Sequence, residues 1–253
     1  MSELRALIFD IDGTLAETEK DGHRVAFNRA FAEAGLDWEW SVALYGELLE
    51  IAGGKERIRF YINNYKPYLT KPTNMDEFIA KLHAAKNHHY QQLIKLGVIP
   101  LRPGVKRLLQ EARINGLRLA IATTAALANV TALLEHTLAP DALEWFEVIA
   151  AGDIVPAKKP APDIYQYVLE KMRLSAQDCL AIEDSLHGLQ AATCAGIKTV
   201  VTINDYTLRQ DFAGAELVVS HLGEPELPFV AIAGQANNKS YLDLELLRQL
   251  HAN

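Results

Sequence analysis

Two aspartates one residue apart, Asp10 and Asp12, close the apolar run "ALIF" and lead into Gly13-Thr14. An unperturbed aspartate titrates near ~3.9, so both are anions at neutral pH and repel each other at this spacing. A second acidic pair, Glu183-Asp184, closes the run "CLAI", and a hydroxyl pair, Thr123-Thr124, closes "LRLAIA". Lys158 and Lys159 stand shortly before the helical stretch that opens at Asp163. Taken singly, each group has a plain explanation. Asp-Gly is a common turn pair, Glu-Asp-Ser is an ordinary helix start, and a surface lysine needs no reason. Taken together they make a reaction centre, because a hard divalent cation binds oxygen ligands and relieves the repulsion. With Mg²⁺ held by Asp10 and Asp184, and by Glu183 through water, Asp10 stays ionised and can attack phosphorus. Asp12 is then free to give a proton to the leaving oxygen and later take one from water. Thr123, Thr124 and Lys159 would bind the transferring phosphoryl oxygens.

These groups can meet only if their runs are neighbouring strands that end on one edge. Continuous apolar runs at 4–9, 117–123, 146–151, 179–184, 198–202 and 216–220 alternate with helical segments near 105–114, 126–137, 163–172 and 186–195. That alternation predicts an α/β fold, a Rossmann-like parallel sheet with helices on both faces, whose ligands bind beyond the carboxyl ends of the strands. Between the first run and the others the pattern is almost wholly helical. "RVAFNRAFAEAGL" shows a three-and-four apolar spacing with Gly35 as its stop, "SVALYGELLEIAGG" repeats it, and "MDEFIAKLHAAKNHHYQQLIKLG" starts from an Asn74 or Asp76 cap. The expected organisation is a catalytic α/β domain of residues 1–16 and 98–253, with an all-helical domain, 17–97, inserted directly after the first aspartates. An insertion leaving the sheet there can act as a lid.

A net charge of −7 argues against a nucleic-acid partner, and no apolar run is long enough to span a bilayer. The expected partner is a small molecule, the expected state a monomer. The expected location is cytoplasmic, or stromal after removal of a transit peptide. Cys179 and Cys194 lie in core-like segments and are expected as buried free thiols. The "HHY" stretch at 88–90, with His83, reads as a packed or solvated helix face rather than a metal site. No G-x-G-x-x-G follows any strand, and "GGKER" lacks the first glycine and the Ser/Thr of a P-loop.

In order along the chain, "DIDGT" (10–14), the strand ending at Thr123, Lys159 in "KKPAPDIY" and "IEDSLHG" (182–188) resemble the four motifs of the haloacid dehalogenase superfamily. The helical insertion looks like its C1-type cap. Further stretches, "TLAETEKDGHRVAFN", "LYGELLEIAGGKERI", "LRPGV" and "AGDIVPAKKPAPDIY", are similar to the CbbY branch of sugar-phosphate phosphatases. The resemblance implies Mg²⁺-dependent conversion of xylulose 1,5-bisphosphate, a by-product of Rubisco, to xylulose 5-phosphate. It implies that Asp10 is nucleophile and metal ligand, that Asp12 is acid/base and binds metal through its carbonyl, and that Asp184 is a ligand. It also implies that Glu19, His23, Tyr45, Gly54, Lys55 and Arg57 contact substrate. Two features depart from the pattern. Ala125-Ala126 stand where some relatives carry hydroxyls, and the segment from Asp12 to His23 is one residue longer than in β-phosphoglucomutases. A phosphosugar mutase, or a phosphoglycolate or hexose-phosphate phosphatase, would share every core residue. A non-catalytic protein on the same fold would have no need of all of them.

Overall fold

The computed structural model describes residues 3–51, 53–67 and 73–252, which form two units: the chain up to Glu17 together with Pro100 onward, and Thr18–Ile99. In the first unit, the six apolar runs become β1 (Ala6–Phe9), β2 (Arg118–Thr123), β3 (Val148–Ala151), β4 (Cys179–Glu183), β5 (Lys198–Thr202) and β6 (Leu217–Val219), and the tail adds β7 (Ala231–Gly234). They make one sheet in the order β3-β2-β1-β4-β5-β6-β7, parallel throughout except for β7. All four residues of β1 are buried, so both faces of the sheet centre are covered. Ala6 and Ile8 pack with Ile164, Tyr165 and Val168 on one face, and alternation sends Leu7 and Phe9 to the other.

The helices of this unit are α5 (Val105–Ile114), α6 (Leu127–Leu133), α7 (Asp163–Met172), α8 (Leu186–Cys194) and α9 (Leu244–Ala252). From β1 the chain adds β2 and β3 on one side, then crosses back to add β4, β5 and β6 on the other. The carboxyl end of β1 is therefore the switch point at which such sheets bind ligands.

The tail adds elements beyond the six expected strands, and one cysteine departs from its expected burial. The tail supplies β7 and α9; α9 buries Leu244, Leu246, Leu247 and Leu250, while all four residues of β7 are exposed. Cys179 is buried as expected, but Cys194, at the last position of α8, is exposed. A thiol on the outer side of a helix end is no part of the core.

The second unit is helical in its described residues. A π-helical turn, Thr18–His23, runs into α1 (Arg24–Glu33), followed by α2 (Val42–Leu48), α3 (Gly54–Tyr65) and α4 (Met75–Lys95). Gly35 ends the first helical run at φ 70°, and Asn74 caps α4 by accepting from the Glu77 amide at 3.2 Å. The single helical run expected over 41–54 is instead broken: α2 stops at Leu48 and α3 starts at Gly54, with position 52 outside the described residues. Aromatic packing holds the unit together, with the Trp40 ring 4.6 Å from Phe27 and 4.9 Å from Phe31. Among the described residues, no helix is long and apolar enough to cross a membrane.

The chain leaves and re-enters the α/β unit through two segments that lie side by side. Glu17 donates its amide to the Pro100 carbonyl at 3.2 Å, and Arg102 to that of Leu15 at 2.9 Å. The departure point is Glu17/Thr18 and the return Ile99/Pro100.

Candidate active site

β1 ends at Phe9, yet the Asp10 amide still donates to the Ile182 carbonyl at 3.0 Å, so the ladder delivers Asp10 beside the end of β4. The chain then coils into a tight loop in which the Leu15 amide reaches back to the Ile11 carbonyl at 2.9 Å. Gly13 has φ 84°, and a Cβ placed there would lie 2.3 Å from Asp184 Oδ2 and 2.7 Å from Asn204 Nδ2. This glycine supplies both the left-handed conformation and the room for Asp184 to approach. β4 ends at Glu183; Asp184 follows, and Ser185 caps α8 by accepting from the Gly188 amide at 3.1 Å. At Gly188 a Cβ would lie 1.9 Å from Glu183 Oε2, so the carboxylate rests against bare backbone.

Asp10, Glu183 and Asp184 each turn a carboxylate oxygen toward a common point, the three atoms lying within 4.8 Å of one another, and all three residues are buried. Lys159 joins two of them. Its ammonium donates to Asp10 Oδ1 at 2.7 Å, to Glu183 Oε1 at 2.6 Å and to the Ala122 carbonyl at 2.8 Å. Burial opposes the lysine's charge, but the Asp10 and Glu183 carboxylates outweigh that and hold its pKa above the ordinary value. The Tyr165 hydroxyl also donates to Glu183, and burial followed by the nearby carboxylate keeps it a phenol.

One ammonium against three carboxylates leaves excess negative charge. Burial pushes Glu183 up to about 7, and burial together with Asp10 and Glu183 pushes Asp184 well above the usual carboxylate range. Glu183 Oε2 is buried with no hydrogen-bond partner. An oxygen-only donor set with surplus charge and an unsatisfied buried oxygen fits a hard divalent cation. Among the described residues this is the one such cluster of potential metal ligands. Two of the three histidines of α4 are engaged otherwise: His89 with Glu33 at 2.6 Å, His88 with Gln92 at 2.9 Å.

The other expected core residues differ in setting. Thr123 is buried at the end of β2 and accepts from the Ala125 amide at 3.2 Å, whereas Thr124 is exposed. Asp12 is half-buried, two residues past Asp10.

Three residues that sequence reasoning missed complete the site. Tyr165 reaches Glu183 from α7. Asn204, just past β5, donates to Asp184 Oδ2 at 2.7 Å. Arg102 is buried and binds the carbonyls of Gly13, Thr202, Ile203 and Ser220, while pairing with Glu17 at 2.9 Å. One guanidinium thus ties the Asp12 loop to the ends of β5 and β6. "LRPGV" held the signal for Arg102, a cation directly before a Pro-Gly turn, but nothing local shows what it binds.

In the helical unit, the Tyr45 hydroxyl donates to Glu19 Oε2 at 2.6 Å. Arg57 donates to the Tyr45 oxygen at 3.2 Å and to the carbonyls of Leu48 and Ile51 at 2.9 and 3.2 Å. Arg57 is therefore tied to α2 and the segment after it, while Lys55, two residues earlier, is exposed. Gly54 opens α3 with His83 packed over it; a Cβ there would lie 2.6 Å from His83 Nε2. His23 lies against Lys86, with Nδ1 3.0 Å from the amine.

The description of haloacid dehalogenase-like hydrolases matches residues 4–196. The chain belongs to this family. It is 48% identical to the plasmid-borne protein CbbY of Cupriavidus necator over 98% of this chain and 97% of that protein. It is similar to two solved structures of CbbY from Rhodobacter sphaeroides, each covering 86% of this chain and 94% of the other. One is in complex with phosphate (43% identity, TM-score 0.73). The other is a D10N variant in complex with xylulose 1,5-bisphosphate (44% identity, TM-score 0.73). As a haloacid dehalogenase-like hydrolase, the chain is an enzyme, and its seven-stranded sheet is that family's core.

Proposed function

We propose that this hydrolase is a Mg²⁺-dependent sugar-phosphate phosphatase that converts xylulose 1,5-bisphosphate to xylulose 5-phosphate. The observation that carries the reading is the buried oxygen cluster of Asp10, Glu183 and Asp184 at the end of β1, with Lys159 bridging two of its members. The substrate follows from the relationship to CbbY, one relative of which has been solved with that bisphosphate.

Asp10, Asp184 and the Asp12 carbonyl would hold the metal, with Glu183 behind them. Bound there, Mg²⁺ supplies the positive charge that lets an anionic phosphate approach three carboxylates. An Asp10 carboxylate oxygen attacks phosphorus, the bond from phosphorus to the sugar oxygen breaks, and Asp12 gives that oxygen a proton. Asp12 then takes a proton from water, which attacks the aspartyl phosphate and frees inorganic phosphate and Asp10. Thr123, Thr124 and the Lys159 ammonium bind the equatorial phosphoryl oxygens, where charge spreads in the transition state. Lys159 cannot abandon its two carboxylates cheaply, so it holds Asp10 in place while it binds. Glu19, His23, Tyr45, Gly54, Lys55 and Arg57 select the sugar; the Glu19–Tyr45–Arg57 chain fixes three of these side chains against one another.

A phosphate-release screen with Mg²⁺ over ketose and aldose mono- and bisphosphates tests this. The account expects strong preference for the 1,5-bisphosphate with loss of one phosphate. Preference for phosphoglycolate or a hexose phosphate would overturn the substrate. Transfer of phosphate between sugar carbons without release would mark a mutase instead.

A further inference from the structure

Arg102, shortly before α5, is a cation at 5% exposure. Its main chain and its side chain both hold the loop after β1. The Arg102 amide donates to the Leu15 carbonyl at 2.9 Å, and Nη1 donates to the Gly13 carbonyl. Nη1 also donates to the Thr202 carbonyl at 3.0 Å and to the Thr202 hydroxyl at 2.8 Å. Nη2 donates to the carbonyls of Ile203 and Ser220, the latter at 2.8 Å. Glu17 lies 2.9 Å from Nε and offsets a charge that would otherwise repel a metal ion. One planar fork therefore serves acceptors from three segments: the β1 loop, the end of β5 and the end of β6. A lysine ammonium, a point charge with its donors at one place, lacks that reach.

This bridge passes Asp184. In the sheet, β4 stands between β1 and β5, and Asp184 directly follows β4. Its carboxylate is confined from both sides. A Cβ at Gly13 would lie 2.3 Å from Asp184 Oδ2, and Asn204 donates to the same oxygen at 2.7 Å. The two carbonyls that Arg102 binds at Gly13 and Ile203 belong to the neighbours of Asp12 and Asn204 in the chain. We propose that Arg102 is a positioning residue of the metal site. By fixing the Gly13 and Ile203 carbonyls relative to each other, it aligns the Asp12 carbonyl with the Asp184 carboxylate and so sets the affinity for the divalent cation. The proposal rests on the reading of Asp10, Asp12 and Asp184 as metal ligands.

The contrasting role is purely structural. A buried cation that only stitched strand ends together would lower Tm when removed, and the folded remainder would bind metal as before. Groups that orient metal ligands act differently: losing one costs about ten- to a hundredfold in affinity, and Arg102 supports two segments at once.

Mn²⁺ favours the same oxygen ligands as Mg²⁺ and gives a binding signal independent of turnover. It is titrated into the full-length protein without substrate and followed by electron paramagnetic resonance, with circular dichroism to confirm folding. The dissociation constant should rise about a hundredfold in Arg102→Ala. In Arg102→Lys, which keeps the charge and loses the fork, it should rise about tenfold. A folded Arg102→Ala that binds Mn²⁺ within about twofold of the parent would overturn the proposal, whatever its Tm. Arg102→Lys at the parent's affinity would overturn it too, because charge alone would then suffice. If neither variant folds, the unsubstituted protein decides. Its Arg102 Nη protons should give separate, slowly exchanging NMR signals, and one averaged signal, the mark of a freely rotating guanidinium, would remove Arg102 from the positioning role. A parent that binds no Mn²⁺ would sink the metal-site reading itself. Failure of the substrate screen leaves the titration untouched, so the readings fail separately.

Discussion

Replacing Lys159 with Met should destabilise the α/β unit in a manner that depends on pH and on Mg²⁺. The ammonium bridges Asp10 at 2.7 Å and Glu183 at 2.6 Å, with side chains of Lys159, Asp10 and Glu183 only 7%, 10% and 0% exposed. Met fills similar volume, so the lost term is charge compensation rather than packing. Removing one partner of a buried ion pair costs about 3–5 kcal/mol, because the charge left behind has no substitute for water. For a chain of this size each kcal/mol shifts Tm by roughly 2–4 °C, which gives a fall of roughly 10 °C near pH 8. The sign of the pH dependence follows from the raised carboxyls. Burial places Glu183 at about 7 and Asp184 well above its usual range. A carboxyl whose folded pKa is raised stabilises most fully below its unfolded value, near ~4.5 for Glu, and that contribution is lost as pH climbs through the folded value. Without the ammonium, the loss across this window steepens, so the deficit of the variant should be smaller at pH 5 than at pH 8. A divalent cation at the three carboxylates should narrow the deficit at pH 8. Calorimetry of both proteins at the two pH values, with and without Mg²⁺, measures this. A variant Tm within about 2 °C of the parent at pH 8, or a deficit larger at pH 5, would refute the charge argument.

Two other substitutions probe the same centre. Asn204 orients Asp184 through a 2.7 Å hydrogen bond, so Asn204→Ala should raise the Mg²⁺ concentration for half-maximal phosphate release about tenfold, read from a metal titration. An unchanged midpoint would mean that Asp184 needs no such support. Gly13→Ala puts a Cβ 2.3 Å from Asp184 Oδ2 at a φ of 84°, so it should cut kcat by about a hundredfold or more while circular dichroism stays near normal. Full activity would show that the loop yields without moving the carboxylate.

The candidate site residues Asp10, Glu183 and Asp184 were legible because strand ends carry them. An apolar run that stops at an acid announces both a strand and the edge at which the acid lies, and β1 and β4 are adjacent in the sheet. Arg102 and Asn204 were not legible as site residues. The carbonyls that Arg102 binds belong to residues 13, 202, 203 and 220, brought together only by the sheet. Asn204 reads locally as a turn residue, accepting from the Tyr206 amide, and its bond to Asp184 is purely tertiary. β7 carried no signal either, since "AIAG" neither alternates nor is buried, and its pairing with β6 is antiparallel. The exposure of Cys194 is hidden in the sequence because a helix next to a core strand suggests an inward face, whereas the last position of α8 is exposed. The break between α2 and α3 was hidden by Leu49 and Ile51, which continue the apolar rhythm past Leu48, whereas Gly53, at φ 92°, marks where α3 must begin.

Asp10 should accept the phosphoryl group in a Mg²⁺-dependent step. Acid quenching within the first turnover, with xylulose 1,5-bisphosphate labelled in its 1-phosphate, tests it most directly. Label should stay bound to the protein, be released by hydroxylamine as expected of an acyl phosphate, depend on Mg²⁺ and be absent in Asp10→Asn. Steady phosphate release by Asp10→Asn at near the parent rate, or turnover of the parent with no label on Asp10, would contradict it.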